Sequence, residues 1–520
     1  LAQQNAGLLH IYANVLYCEQ RDVKGTPMSL IDLNIPAGVY RNGTDLQSRG
    51  RWRDVNLVRW HDGIMRPVGG WRTRSSNAGN AQLRGMLTWI DNSSNRYIAS
   101  GTYNKLYAWT EAGIQYDITP AGLTAGRIDA DAFTGYGYGF YGSYAYGVAR
   151  PDTINIDPAT SWHLQPWGEY LLACNSDDGK IYEWQLNGAT VAAVLSNAPT
   201  SNKGIVVTEE RFLFALGAGG NPRKVQWSDR EDNNTWTPAA TNEAGDLELQ
   251  TSGELMAGHT VKGQTLLLTS RDAHVANYIG PPYVYGIERV GTSCGLAAAQ
   301  ACVVVDQGAM WMGVNSFYAY TGGAVQEMPC DVSDYVFNDI NRPQISKVFA
   351  MSNSMFGEVW WFYPSGSSIE NDRYVVYNYV ENTWYIGELD RTAGIDRGVF
   401  RQPLMMDAAD FKVYEHEVGL DYDDLTPYAE TGPIYIATGD QVTSIVEMIP
   451  DEKTQGDVNA TFKTRFYPNG TERDYGPFSM SNPTSMRFTG RQFRMRVEGA
   501  RYTDWRVGNN RLDAIAGGRR

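Results

Sequence analysis

The chain has 520 residues, enough for two or three domains and a large buried core. With 42% hydrophobic and 20% charged residues it has the composition of a folded protein, and no apolar run approaches the roughly 18 to 20 residues of a membrane-spanning helix. A net charge of −14 disfavours a grip on nucleic acid through its phosphates. The 15 Trp, 32 Tyr and 54 Gly point to many short strands broken by turns, and so to an all-β chain.

The opening Leu1-Ala2-Gln3-Gln4 has neither an initiator Met nor a basic stretch, so a trimmed or incomplete N-terminus is expected rather than a secretory signal. Charge is uneven along the chain. Eight arginines between Arg41 and Arg74 face Asp45, Asp54 and Asp62, a balance of +5. Nine between Arg487 and Arg520 face Glu498, Asp504 and Asp513, a balance of +6, which leaves −25 for the remainder.

From residue 81 a pattern recurs: an apolar strand, a short polar turn, then a strand bearing Tyr or Trp. It runs as Arg96-Tyr97-Ile98-Ala99 with Lys105-Leu106-Tyr107-Ala108-Trp109, and returns from Glu169, Arg211, Gln264, Ala309 and Glu358, with a weaker copy near Phe411. The spacings from Glu169 are 42, 53, 45 and 49 residues, matching the roughly 40 to 50 of a four-stranded propeller blade. Unrelated hairpins of a sandwich fit less well, because sandwich strands recur every 8 to 12 residues or so. The reading is an all-β chain with a β-propeller of about seven blades over residues 81–431. Between Arg96 and Glu169 the interval is too long for one blade. Its surplus, about 133–147, alternates Gly with Tyr136, Tyr138, Tyr141 and their neighbours, which reads as a protruding loop for contact or for facing a pore, an idle surface loop fitting equally.

Beyond Gly432 the period is lost. Residues 432–520 are expected to form a small β-sandwich or platform, with the segment 1–80 packed onto it. In Arg491-Gln492-Phe493-Arg494-Met495-Arg496-Val497, period-two alternation puts Arg494 and Arg496 on one face and Arg491 on the other unless a bulge intervenes.

Chemistry-bearing motifs are scarce. The six histidines are scattered, and no nucleophile elbow, Walker loop or dinucleotide fingerprint joins a strand to a helix. Five cysteines without CxxC spacing read as reduced core thiols, in keeping with assembly in a bacterial cytoplasm. Ser176-Asp177-Asp178-Gly179-Lys180 resembles a sialidase Asp-box out of register and reads as a turn, as does Gly217–Pro222. Asp421-Tyr422-Asp423-Asp424 reads as a solvated acidic loop rather than a calcium site. No catalytic residue, metal or cofactor is expected.

Three segments are similar to the nozzle proteins of short-tailed bacteriophages, also called tail tubular protein B or DNA-stabilisation protein. They are Gly38-Val39-Tyr40-Arg41 through Gly50-Arg51-Trp52-Arg53-Asp54 to Gly69-Gly70-Trp71; Val225-Gln226-Trp227-Ser228-Asp229 with Thr235-Trp236-Thr237-Pro238; and Tyr502-Thr503-Asp504-Trp505-Arg506 to the C-terminus. The resemblance implies a late structural protein of the virion tail, a homohexameric ring below the head-to-tail adaptor that retains packaged DNA and passes it during genome ejection. It further implies contacts with tail fibres or a tail-tip protein. An acidic propeller suits a channel that must not bind DNA, and basic ends suit docking. Arg491, Arg494, Arg496 and the three tyrosines are the expected interface residues. A double charge reversal at Arg494 and Arg496 is expected to leave the subunit folded but unable to assemble. Alternatives are a carbohydrate-active or receptor-binding tail propeller, marked by carboxylates and stacked aromatics at its axis, and a monomeric cellular scaffold.

Overall fold

Seven four-stranded antiparallel sheets succeed one another along the chain in the computed structural model, which describes residues 30–75, 77–130, 156–435, 441–468 and 470–518. Blade 1 opens with Arg84–Ile90, blade 2 with Trp162–Trp167, blade 3 with Gly204–Val207 and blade 4 with Leu255–Val261. Blades 5, 6 and 7 open with Cys302–Val305, Phe349–Asn353 and Arg391–Ile395. Each of these first strands neighbours the next, and that of blade 7 neighbours that of blade 1, so the ring closes. The chain is a seven-bladed β-propeller carrying a second β-domain.

The apolar runs found in the sequence are the second and third strands of the blades, Gln264–Thr269 and Glu358–Tyr363 among them. They lie between the innermost and outermost strands and are covered on both faces, which is why Leu266, Leu267 and Leu268 are all fully buried. Tryptophans fill the space between blades, where their area can be buried while the indole N–H finds a carbonyl. Trp162 of blade 2 donates to Thr102 O of blade 1 at 2.8 Å, and Trp361 of blade 6 to Ala301 O at 3.1 Å. The first of these contacts requires Gly101, since a Cβ there would lie 2.3 Å from the Trp162 nitrogen.

Blade 7 takes its fourth strand from far upstream. Trp71–Thr73 pairs with Val413–His416, in the register Trp71 with His416 and Thr73 with Tyr414. The propeller therefore begins before residue 80, because closing the ring by pairing the two ends of the chain needs a strand that precedes blade 1. Arg72 of this strand and Arg74 just after it both bind Glu415. Asp423, in the acidic run after blade 7, accepts the Trp71 indole proton at 2.8 Å, so that loop is partly structural rather than merely solvated.

The second domain is a sandwich of strands drawn from both ends. One sheet runs Ile31–Leu33, Asn510–Ala516, Thr443–Ile449, Thr484–Gly490; the other runs Trp52–Asn56, Tyr428–Thr431, Gln492–Gly499, Val458–Arg465, Arg473–Ser479. Phe462 and Phe488 stack across the interior with centroids 4.8 Å apart, beside buried Met486, Phe493 and Met495.

Arg59, on the hairpin Val58–His61/Ile64–Pro67, fastens this domain to the propeller. Its guanidinium is 1% exposed, 3.0 Å from Glu358 of blade 6 and 2.5 Å from Glu417 after blade 7, with the Phe356 ring 3.8 Å away. Burial pushes the Glu358 carboxyl up, against the opposing pull of Arg59. Tyr385 and Trp360 donate to Glu358, and Asn353 to Glu417, supplying hydrogen bonds that so buried a charge needs.

Candidate functional site

Three regions could meet a partner or ligand. The first is the arginine row. In Gln492–Gly499 the residues Phe493, Met495 and Val497 are buried, while Arg494, Arg496 and Glu498 share the opposite face. That face is already matched in charge by the chain itself. Arg494 lies 2.7 Å from Asp45, 3.2 Å from Glu472 and 3.6 Å from Glu430. Arg496 lies 2.7 Å from Glu498 and stacks 3.7 Å over the Tyr428 ring. Arg465 and Arg53 add to the cluster around Asp45, at 2.6 and 3.3 Å. Burial raises the Asp45 carboxyl, but these three arginines outweigh it and hold it below the usual carboxylate range. Arg491 is not part of the row: it precedes the strand, 5.4 Å from the Tyr467 ring. Sequence alternation located the face, while the partners Asp45, Glu430 and Glu472 came from segments it could not connect.

The second region is the root of the Gly/Tyr insertion. Tyr136, Tyr138 and Tyr141 lie outside the described residues, but both flanks are placed. Thr160 N–H donates to Arg127 O at 3.0 Å, drawing the two flanks together. Gln344 bonds both N–H and O of Ala130, at 3.0 and 3.1 Å. Lys347, fully buried, lies 2.5 Å from Asp129 and 2.7 Å from Glu370. The flanks of the insertion thus sit at one end of the propeller, beside the turns that lead into blades 2 and 6.

At that same end lies the third region, a cavity of about 710 Å³ walled by the turns that enter blades 2 to 6. Arg127 crosses its rim, 2.7 Å from Asp177 and 3.2 Å from Asp157. Lys203 and Glu254 also line it, as does His163, which is 7% exposed and whose Nε2 has no partner among the described residues. Burial pushes the His163 imidazole down to about 4, with His259 adding to the effect, so the ring is neutral near pH 7. No Trp, Tyr or Phe side chain lines the cavity among the described residues. Scattered through the sequence, these residues gave no motif; only ring closure gathers them.

The remaining chemistry-bearing groups are held in packing. Cys174, Cys294 and Cys302 are buried free thiols, and burial raises those of Cys174 and Cys294 to about 12 and 11. Such thiols are poor nucleophiles. The Asp-box-like segment is a turn in which Asn175 Oδ1 accepts from the N–H groups of Asp177 and Asp178. His61, Asp62 and Glu381 place ligand-type atoms within 4.8 Å of one another, a grouping invisible in sequence because Glu381 belongs to a turn of blade 6. Two of its bonds are internal: His61 Nδ1 lies 3.0 Å from Asp62, whose N–H donates to Glu381 at 2.6 Å.

No family model matches the chain, and no curated protein matches it. Among solved structures, virginiamycin B lyase from Staphylococcus aureus aligns with 9% identity and a TM-score of 0.40, over 66% of this chain and 99% of its own. YCF48 bound to a D1 peptide aligns with 8% identity and a TM-score of 0.38, over 69% and 99%. PorZ from Porphyromonas gingivalis aligns with 7% identity and a TM-score of 0.36, over 79% and 48%. Alignments at this level say nothing about activity.

Proposed function

We propose that this chain is a non-enzymatic structural subunit of a short-tailed phage tail, assembling as a homohexameric ring that retains packaged DNA and passes it during ejection. The observation that carries this reading is the division of charge between the two domains. Residues 71–427, which hold the propeller, contain 41 Asp and Glu against 23 Lys and Arg; residues 30–70 and 428–520, which hold the platform, contain 15 against 19. A wall of the first kind repels phosphates and lets DNA slide past it. A domain of the second kind offers guanidinium groups to an acidic adaptor or neighbouring copy. Support comes also from the Arg59 cluster, since a ring subunit must hold its two domains at a fixed angle.

The test is negative-stain imaging of the purified protein, alone and beside virions of the phage that carries it. Six-fold rings that match the tail density are expected. A protein that remains monomeric at all concentrations and is absent from virions would sink the proposal.

A second reading, a carbohydrate-active or receptor-binding propeller, is favoured by His163 in the axial cavity, whose Nε2 has no partner among the described residues. It is weakened by a lining in which Asp177 is held by Arg127 and, among the described residues, no aromatic side chain offers a sugar a stacking face. Turnover of a host polysaccharide, abolished by Asp177→Asn, would establish it instead.

A further inference from the structure

Away from the axis, on the face that bears the axial cavity, a groove of about 390 Å³ opens between blades 4 and 5. Two arginines line it. Arg271 sits in the turn between Gln264–Thr269 and Asp272–Gly280. Arg289 sits on Val284–Thr292, where the register against Asp272–Gly280 slips by one residue at Val290. A bulge of this kind re-aims the side chain beside it.

Both guanidinium groups are exposed, and neither has a carboxylate or hydrogen-bond partner among the described residues. Elsewhere in the propeller Arg84, Arg373 and Arg391 are each paired with a carboxylate. The carboxylate in the groove wall, Asp272, is only 6% exposed, and its Oδ1 accepts from Thr269 Oγ1 at 2.5 Å and Thr251 Oγ1 at 2.9 Å.

The rest of the lining supplies neutral donors. Arg342 occupies the Asn315 carbonyl at 3.1 Å, which leaves the Asn315 amide N–H groups unspent. Hydroxyls of Ser270 and Thr292 stand around it, while that of Tyr318 donates to Ser293 O at 3.0 Å. The floor depends on Gly295, where a Cβ would fall 2.1 Å from Ser270 O. A volume of this size falls within the range of small-molecule sites. Paired guanidinium groups match a carboxylate or phosphate in two-pronged fashion, and a ring of hydroxyl and amide donors matches a polyhydroxylated body.

We propose that this groove binds a small oxyanion-bearing ligand, of the class of phosphorylated or carboxylated sugars, through Arg271 and Arg289. The site stands apart from the arginine row and the axis, and does not depend on the ring reading. Titration calorimetry of the full chain with glucose 6-phosphate, with glucuronate and with neutral glucose tests it. Saturable binding of at least one anionic probe is expected, with none for glucose; which anion binds identifies the head group. Arg271→Gln with Arg289→Gln is expected to weaken that binding by about tenfold or more, since two charge-assisted contacts are lost. The melting temperature should be unchanged, because neither side chain holds another. No heat from either anion, or equal affinity in the double variant, would overturn the proposal.

Discussion

The propeller and the platform are both antiparallel β-structure, yet the chain builds them in opposite ways. Six blades are each made from one continuous stretch: Glu358–Tyr363 pairs with Arg373–Asn378, and that with Thr383–Glu388, across short turns. The platform pairs Ile31–Leu33 with Asn510–Ala516, and Trp52–Asn56 with Tyr428–Thr431. Blade 7 stands between the two, three strands local and one from upstream. Local hairpins are cheap in loop entropy and are specified by nearby residues, whereas distant pairings are stable only when buried contacts at the junction outweigh the closure. The stability of the platform should accordingly rest on a few long-range contacts, and that of the blades on many short-range ones.

The largest effect is expected at the junction. Arg59→Met leaves Glu358 and Glu417 buried without their counter-charge and should cost about 3–5 kcal/mol. Calorimetry should then resolve separate transitions for platform and propeller; a single unshifted transition would show that the junction is not held by this cluster. Trp71→Ala removes the closing strand's anchor against His416, Tyr422 and Asp423, at a cost of about 3–5 kcal/mol typical of a buried Trp. Protease cutting should appear first between blades 7 and 1, and an unchanged digestion pattern would refute the closure argument.

Acid should separate the two domains. An unfolded histidine takes up a proton near pH 6.5, while burial withholds one from His163 until about 4 and from His416 until well below its ordinary value. The propeller should therefore lose stability as pH falls from 6.5 toward 4, by up to about 1.4 kcal/mol per unit for each histidine. Asp45 is held below its ordinary value of 3.8, so its contribution to the platform is kept above that pH and lost only on further acidification through its folded pKa. Fluorescence-monitored urea titrations from pH 7 to 4 would show this; a midpoint independent of pH would contradict it.

Charge reversal at Arg494 and Arg496 together sets two glutamates against Asp45, Glu430 and Glu472, and should destabilise the platform by about 1–3 kcal/mol. Any assay of assembly with this double variant is thus informative only beside a measured platform melting point, and an unshifted melting point would return the row to the role of a free surface. The smallest effect belongs to blade 1, where Arg96 and Glu111 pair at 2.8 Å with side chains 40% and 51% exposed. Arg96→Ala should change stability by under about 1 kcal/mol, and a greater loss would show that exposed pairs matter here.

What the residues determined by themselves was whatever repeats or alternates locally. The blade period was legible because each blade's second and third strands are adjacent in the chain and buried on both faces, so the apolar runs announce themselves. The shared face of Arg494 and Arg496 followed from the two-residue period of a strand. Tertiary structure alone decided which distant segments meet: Trp71–Thr73 completing blade 7, Asp45 arriving under Arg494, and Arg59 reaching Glu358 and Glu417. It also gathered His163 with the other axial residues, and placed Arg271 and Arg289 in one groove although 18 positions separate them. None of these partners carries a local mark, because a carboxylate that neutralises a buried arginine has the same sequence context as one that faces water. Only the closing of the ring and the stacking of the two platform sheets fix which of the 58 acidic residues fills which role.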